Sequence, residues 1–108
     1  MIANELRIGN LVIYGGSVVK MNLHEFTHFL RFPETYTPII LTEEILLKCG
    51  FKRFPWGLVI NELLFKDDLK CSFLELEIGN GFRVKVNFLH QLQNLYFALT
   101  GTELKIEL

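Results

Sequence analysis

A chain of 108 residues, half of them hydrophobic and 21% charged, has the size of one domain and enough apolar surface to offset the entropy of ordering, which excludes a disordered chain. Eleven basic against twelve acidic residues leave a formal net charge of −1. The densest basic group, Lys48, Lys52 and Arg53, has no second patch beside it, so no strong nucleic-acid signal is present.

The apolar runs are only a few residues long, far short of the ~20 needed to span a bilayer, so no membrane partner is expected. Met1–Asn10 contains Asn4, Glu5 and Arg7 where a signal peptide would carry an apolar stretch. Cys49 and Cys71 lie far apart without metal-type spacing and read as free thiols in a reducing compartment. A single cytoplasmic domain over residues 1–108 is the expectation.

The chain opens with a lead-in, Asn4–Asn10, that turns at Gly9-Asn10. Leu11–Tyr14 reads as a short strand, Gly15-Gly16 as a tight hairpin turn, and Ser17–Leu23 as the returning strand, in which Val19, Met21 and Leu23 alternate with Lys20 and Asn22. Glu25–Phe32 fits either a third strand or a short helix. Pro33 and Pro38 bracket a loop, Glu34–Thr37, that contains Tyr36.

A helix near 42–49 follows. Thr42 caps its first amide groups, Glu43 and Glu44 sit at the positive end of its dipole, and Leu41 and Leu46 occupy hydrophobic-staple positions. Gly50 terminates it, with Phe51 placed to fold back on the last turn. Phe51–Phe54, a turn at Pro55-Trp56-Gly57 and the strand Leu58–Phe65 come next. A polar turn at Lys66-Asp67-Asp68 leads to Cys71–Ile78, and Gly79-Asn80-Gly81 to the strand Phe82–Val86. These strands form an antiparallel meander.

The clearest helical period lies near 88–100, where Leu89, Leu92, Leu95, Tyr96 and Leu99 share one stripe while Gln91, Gln93 and Asn94 face solvent. Gly101 ends that helix and Leu104–Leu108 closes as a last strand. The fold class is therefore α+β: mainly antiparallel sheet, an N-terminal hairpin plus a C-terminal meander, with two short helices.

One motif carries the letters of an enzyme. His24-Glu25-Phe26-Thr27-His28 matches H-E-x-x-H, in which two histidines one helical turn apart bind zinc and the glutamate activates the metal-bound water. That chemistry requires a helix. If Asn22–Arg31 is helical, Leu23, Phe26 and Leu30 form an apolar stripe, and His24 and His28 share another face. If the segment is extended, residues four apart are about 13 Å apart and cannot share one ion. No glycine and third histidine follow in Phe29–Pro33, and the remaining histidine, His90, belongs to the distant helix pattern. The motif therefore weighs against a metallopeptidase, and no metal, cofactor or catalytic residue is expected.

Other catalytic patterns fail on context. Gly79–Gly81 is a hairpin and not a phosphate loop, Ser17 and Ser72 lack a nucleophile-elbow setting, and Glu75 with Glu77 reads as the solvated face of a strand. Aromatic residues make up 13% of the chain, ten of them Phe. Tyr36, Phe54 and Trp56, beside loops, are the candidate anchors for a partner.

Three stretches, Asn4-Glu5-Leu6-Arg7-Ile8-Gly9-Asn10, Pro38 through Leu41-Thr42-Glu43-Glu44 to Gly50-Phe51, and His90 through Leu95-Tyr96-Phe97 to Gly101, together resemble a family of small proteins encoded in gut-bacterial genomes, often in prophages or other mobile elements. The resemblance brings no activity, cofactor or catalytic residue. It implies a strand-like segment between the hairpin and Pro38, and suggests as an alternative for Asn10–Phe32 a small, strongly bent sheet like that of SH3-type barrels. The functional expectation is a non-enzymatic module that binds a protein partner or self-associates. The alternatives are a zinc hydrolase using His24, Glu25 and His28, and single-stranded nucleic-acid binding on an aromatic sheet face.

Overall fold

Gly15 and Gly16 both adopt positive φ (59° and 81°), the backbone that a two-residue hairpin turn of matching twist demands. In the computed structural model, which describes residues 6–61, 63–66, 75–78 and 82–107, they join β1 (Leu11–Tyr14) to β2 (Ser17–Lys20) with Tyr14 opposite Ser17. The architecture is α+β with antiparallel sheets throughout. The chain divides into two compact units, one made of Met1–Ile40 and Phe88–Glu103, the other of Leu41–Asn87 and Leu104–Leu108.

In the first unit the returning strand ends at Lys20, earlier than the alternation of Val19, Met21 and Leu23 implied. Met21 keeps strand-like backbone bonds to Gly9 and Asn10 and is buried, but Asn22 then caps a helix by accepting from the Glu25 N–H at 2.8 Å. That helix, α1 (Leu23–Arg31), resolves the ambiguity of Glu25–Phe32 and replaces the bent sheet suggested as an alternative for Asn10–Phe32. Leu23, expected to point inward, is 73% exposed at its first position. A single 3-10 turn (Pro33–Thr35) leads to β3 (Tyr36–Thr37), which pairs with β1 and gives the order β2-β1-β3. Leu6, Val12, Met21, Phe29 and Tyr36 form the core of this sheet and helix, with Val19 and Phe26 packed against it.

Two more helices follow α1, the earlier in the second unit and the last, completing the first unit, after it. Chain order places α2 at Glu43–Lys48 and α3 at Leu89–Thr100. For α3, the Gln91 side chain reaches back to accept from the Phe88 N–H, and Gly101 ends it with φ +72° and a bond from its N–H to the Phe97 carbonyl. Leu89 and Leu92 are buried as the period predicts, whereas Leu99 is 49% exposed.

In the second unit α2 begins at Thr42, whose hydroxyl accepts from the Ile45 N–H at 3.2 Å, and both staple residues, Leu41 and Leu46, are buried. It ends in a Schellman motif. The Gly50 and Phe51 N–H groups bond the Leu47 and Leu46 carbonyls, Gly50 has φ +98°, and Phe51 folds back into the interior.

A five-stranded antiparallel meander follows: β4 (Lys52–Phe54), β5 (Gly57–Ile60), β6 (Leu63–Lys66), β7 (Glu75–Ile78) and β8 (Phe82–Lys85). The single strand expected over Leu58–Phe65 is two, because the chain reverses between Ile60 and Leu63 through Asn61 at φ +50°. Asparagine is among the few non-glycine residues that enter this left-handed region readily, but the flanking apolar run hid the turn. Leu58, Phe65 and Leu76 face one another across three strands and are buried, the row of side-chain pairs that stabilises a sheet.

The predicted last strand is absent from the described part of Leu104–Leu108. The Glu107 N–H instead meets the Lys48 carbonyl, one of the acceptors that the end of α2 leaves without an intrahelical partner. Asn4, Glu5, Asp67, Asp68, Cys71, Ser72 and Gly79–Gly81 lie outside the described residues. No helix among the described residues is long and apolar enough to cross a membrane.

Candidate functional sites

Two places hold the residues that the sequence singled out. The first is the face of α1 that carries His24, Glu25 and His28. Because the segment is helical, the two histidines stand one turn apart on one face, where Cβ atoms are about 5–6 Å apart. His24 is exposed, and Glu25 and His28 are half-buried.

Tyr36 reaches this face from β3. Expected as a loop anchor for a partner, it is 2% exposed, and its ring stacks on Tyr14 at 4.8 Å and meets Phe29 edge-on at 5.6 Å. Its hydroxyl donates to Glu25 Oε2 at 2.7 Å and lies 2.8 Å from His28 Nδ1. Burial first, then the hydrogen bond to Glu25 and the charge of that carboxylate, push the Tyr36 phenol up to about 12. The ring is held inside because β3 pairs Tyr36 directly with Tyr14 of β1, a register that no local feature of the loop announces.

Counting donors orients the cluster. A carboxylate only accepts, so the one phenolic proton goes to Glu25, and the Tyr36 oxygen must accept from His28. The neutral His28 ring then carries its proton on Nδ1 and its lone pair on Nε2. Tyr14, Phe32 and Tyr36 surround the ring with centroids 5.4, 5.1 and 5.7 Å away, which restricts its rotation.

The peptidase arrangement is not assembled here. Glu25 is engaged with Tyr36, and among the described residues no group of three or more His, Cys, Asp or Glu side chains is placed to hold a metal ion. His90, buried on α3, lies ring-parallel to Phe88 at 5.8 Å.

The second place is the β4–β5 hairpin. Phe54, the last residue of β4, pairs with Gly57, and the turn between them is Pro55-Trp56. The Phe54 and Trp56 rings stack at 5.1 Å with an interplanar angle of 13°. They are 36% and 59% exposed, and all three residues of β4, an edge strand of the sheet, face solvent. Arg53 ties this strand to α2 through a 2.7 Å ion pair with Glu43. The pair thus forms an exposed apolar platform on a short hairpin tied to α2.

Sequence reasoning missed a polar cluster at the start of β1. Gln93 and Asn94, expected to face solvent, point inward. Gln93 Oε1 accepts from the Leu11 N–H at 2.8 Å and its Nε2 donates to the Gly9 carbonyl at 3.2 Å. Asn94 Oδ1 accepts from Asn10 Nδ2 and Arg7 Nε. Arg7 also pairs with Glu103 and lies over the Phe97 ring at 4.6 Å, and its guanidinium holds the Glu103 carboxyl below the usual range. Each group has a structural partner, so the cluster reads as a clasp. The partners are more than 80 positions apart in sequence, and amphipathic periodicity alone cannot find them.

Cys49 lines a shallow depression with Glu44, Leu47, Lys48, Gly50, Lys105 and Glu107. Burial pushes its thiol up to about 12, so it is protonated at neutral pH and a poor nucleophile. The side chain of Glu75 lies outside the described set, so the Glu75–Glu77 pair adds no site.

No protein-family model, curated protein or solved structure matches the chain.

Proposed function

We propose that this chain is a non-enzymatic protein-interaction module, of the accessory kind that prophages and mobile elements carry, and that the Phe54–Trp56 face is its contact surface. The observation that carries this reading is the stacked, exposed ring pair at the turn that follows the edge strand β4. Two large rings held parallel offer a flat apolar surface whose ordering cost is already met by the hairpin, which is how aromatic anchors contribute to binding. A protein partner fits better than nucleic acid because the chain carries a net charge of −1, and phosphate backbones are bound chiefly through excess positive charge.

The test compares the wild type with Trp56→Ala as bait in lysate of the native host, identifying proteins and assaying nucleic acid in the same eluate. Loss of an anchor tryptophan costs about 2 kcal/mol, roughly 30-fold in affinity. The reading expects a stoichiometric protein that Trp56→Ala retains at least tenfold more weakly, with an unchanged circular-dichroism melt. An unaltered eluate, or a variant that unfolds, would overturn it: the first removes Trp56 from any contact, the second makes it structural.

A further inference from the structure

The geometry points to a two-histidine site for a borderline transition-metal cation of the zinc class on α1, ligated by exposed His24 and by Nε2 of His28 and completed by solvent. Two observations carry it. The helix sets His24 and His28 one turn apart on one face, where Cβ atoms lie about 5–6 Å apart. Independently, the Glu25–Tyr36–His28 chain of hydrogen bonds, at 2.7 and 2.8 Å, leaves the His28 lone pair on Nε2, the nitrogen not bound to Tyr36.

Metal-binding histidines commonly donate their other ring N–H to an acceptor that fixes tautomer and orientation. Tyr36 occupies that position here, with the Glu25 carboxylate behind it. The aromatic collar of Tyr14, Phe32 and Tyr36 limits the rotamers that His28 must give up on binding. The site differs from a peptidase centre in the role of the glutamate, which supports a ligand through Tyr36 instead of activating water. It lies in the first unit and is independent of the Phe54–Trp56 face.

The experiment titrates Zn²⁺ alone into the untagged full chain, following affinity by calorimetry and the histidine rings by long-range ¹H–¹⁵N spectra. Before metal is added, His28 should show its proton on Nδ1. One equivalent of zinc should shift the His24 and His28 rings together and leave His90 unmoved. His24→Ala, at an exposed position, should weaken binding at least tenfold while the fold is retained. Tyr36→Phe should weaken it by about tenfold, the usual cost of losing a supporting hydrogen bond to a ligand. A proton on Nε2 of His28 in the free protein, absence of zinc binding, or affinity unchanged in His24→Ala would each overturn the assignment.

Discussion

Tyr36 joins two kinds of interaction in one side chain. Its ring completes the core beside Phe29, while its hydroxyl links Glu25 to His28. The folded chain holds the phenolic proton up to about 12 against an ordinary value of 10.0. Below the ordinary value both folded and unfolded chains are protonated, and the contribution to stability is complete. Between about pH 10 and 12 the unfolded chain releases this proton first, so stability falls as pH rises. Tyr36→Phe should cost about 1–2 kcal/mol at pH 7, because it leaves two partly buried polar groups short of a partner. In urea melts, the stability gap between wild type and variant should narrow from pH 10 to pH 12. A gap that stays constant would mean that the hydroxyl is not held as described.

At the scale of elements, α3 is tied to the start of β1 by side chain to backbone bonds. Gln93 supplies both an acceptor for Leu11 and a donor for Gly9, and it is 3% exposed. Gln93→Leu should therefore destabilise by about 2 kcal/mol despite being more apolar, since it strands a backbone donor and acceptor away from water. Thermal or urea unfolding measures this, and an unchanged or raised midpoint would contradict the clasp.

Element boundaries were largely legible wherever a terminating residue acts locally: Gly15-Gly16, Thr42, Gly50 and Gly101 all behave as their chemistry dictates. The helix Leu23–Arg31 was not, because its start rests on one Asn22 cap placed inside an alternation that suits a strand equally well. The Asn61 reversal was missed for a related reason: one permissive residue and one glutamate between two short apolar runs give a weak turn signal.

Across the whole molecule the chain leaves one unit at Ile40 and returns to it at Phe88, so the first unit is built from segments far apart in sequence. In the second unit, Cys49 is 3% exposed at the end of α2 and its thiol stays protonated up to about 12. A Cys71→Ser variant, which leaves Cys49 as the single thiol, should react with a thiol reagent at pH 8 about 100-fold or more slowly than the same chain in denaturant, because reaction waits on opening. Rapid native labelling would show that this end of α2 opens easily.

The sequence by itself determined the α+β class, the hairpin turns at Gly15-Gly16 and Pro55-Trp56, the caps of α2 and the glycine that ends α3, because each depends on backbone preferences and short-range hydrogen bonds within a few residues. The placement of Phe54 and Trp56 at a tight turn was legible for the same reason. Only the tertiary structure decided that Tyr36 is buried, that Gln93 points inward and that His28 joins Glu25 through a phenol. Those outcomes depend on which distant segment supplies the partner, and the free energy of burying a polar group is settled by that partner and not by the residue itself.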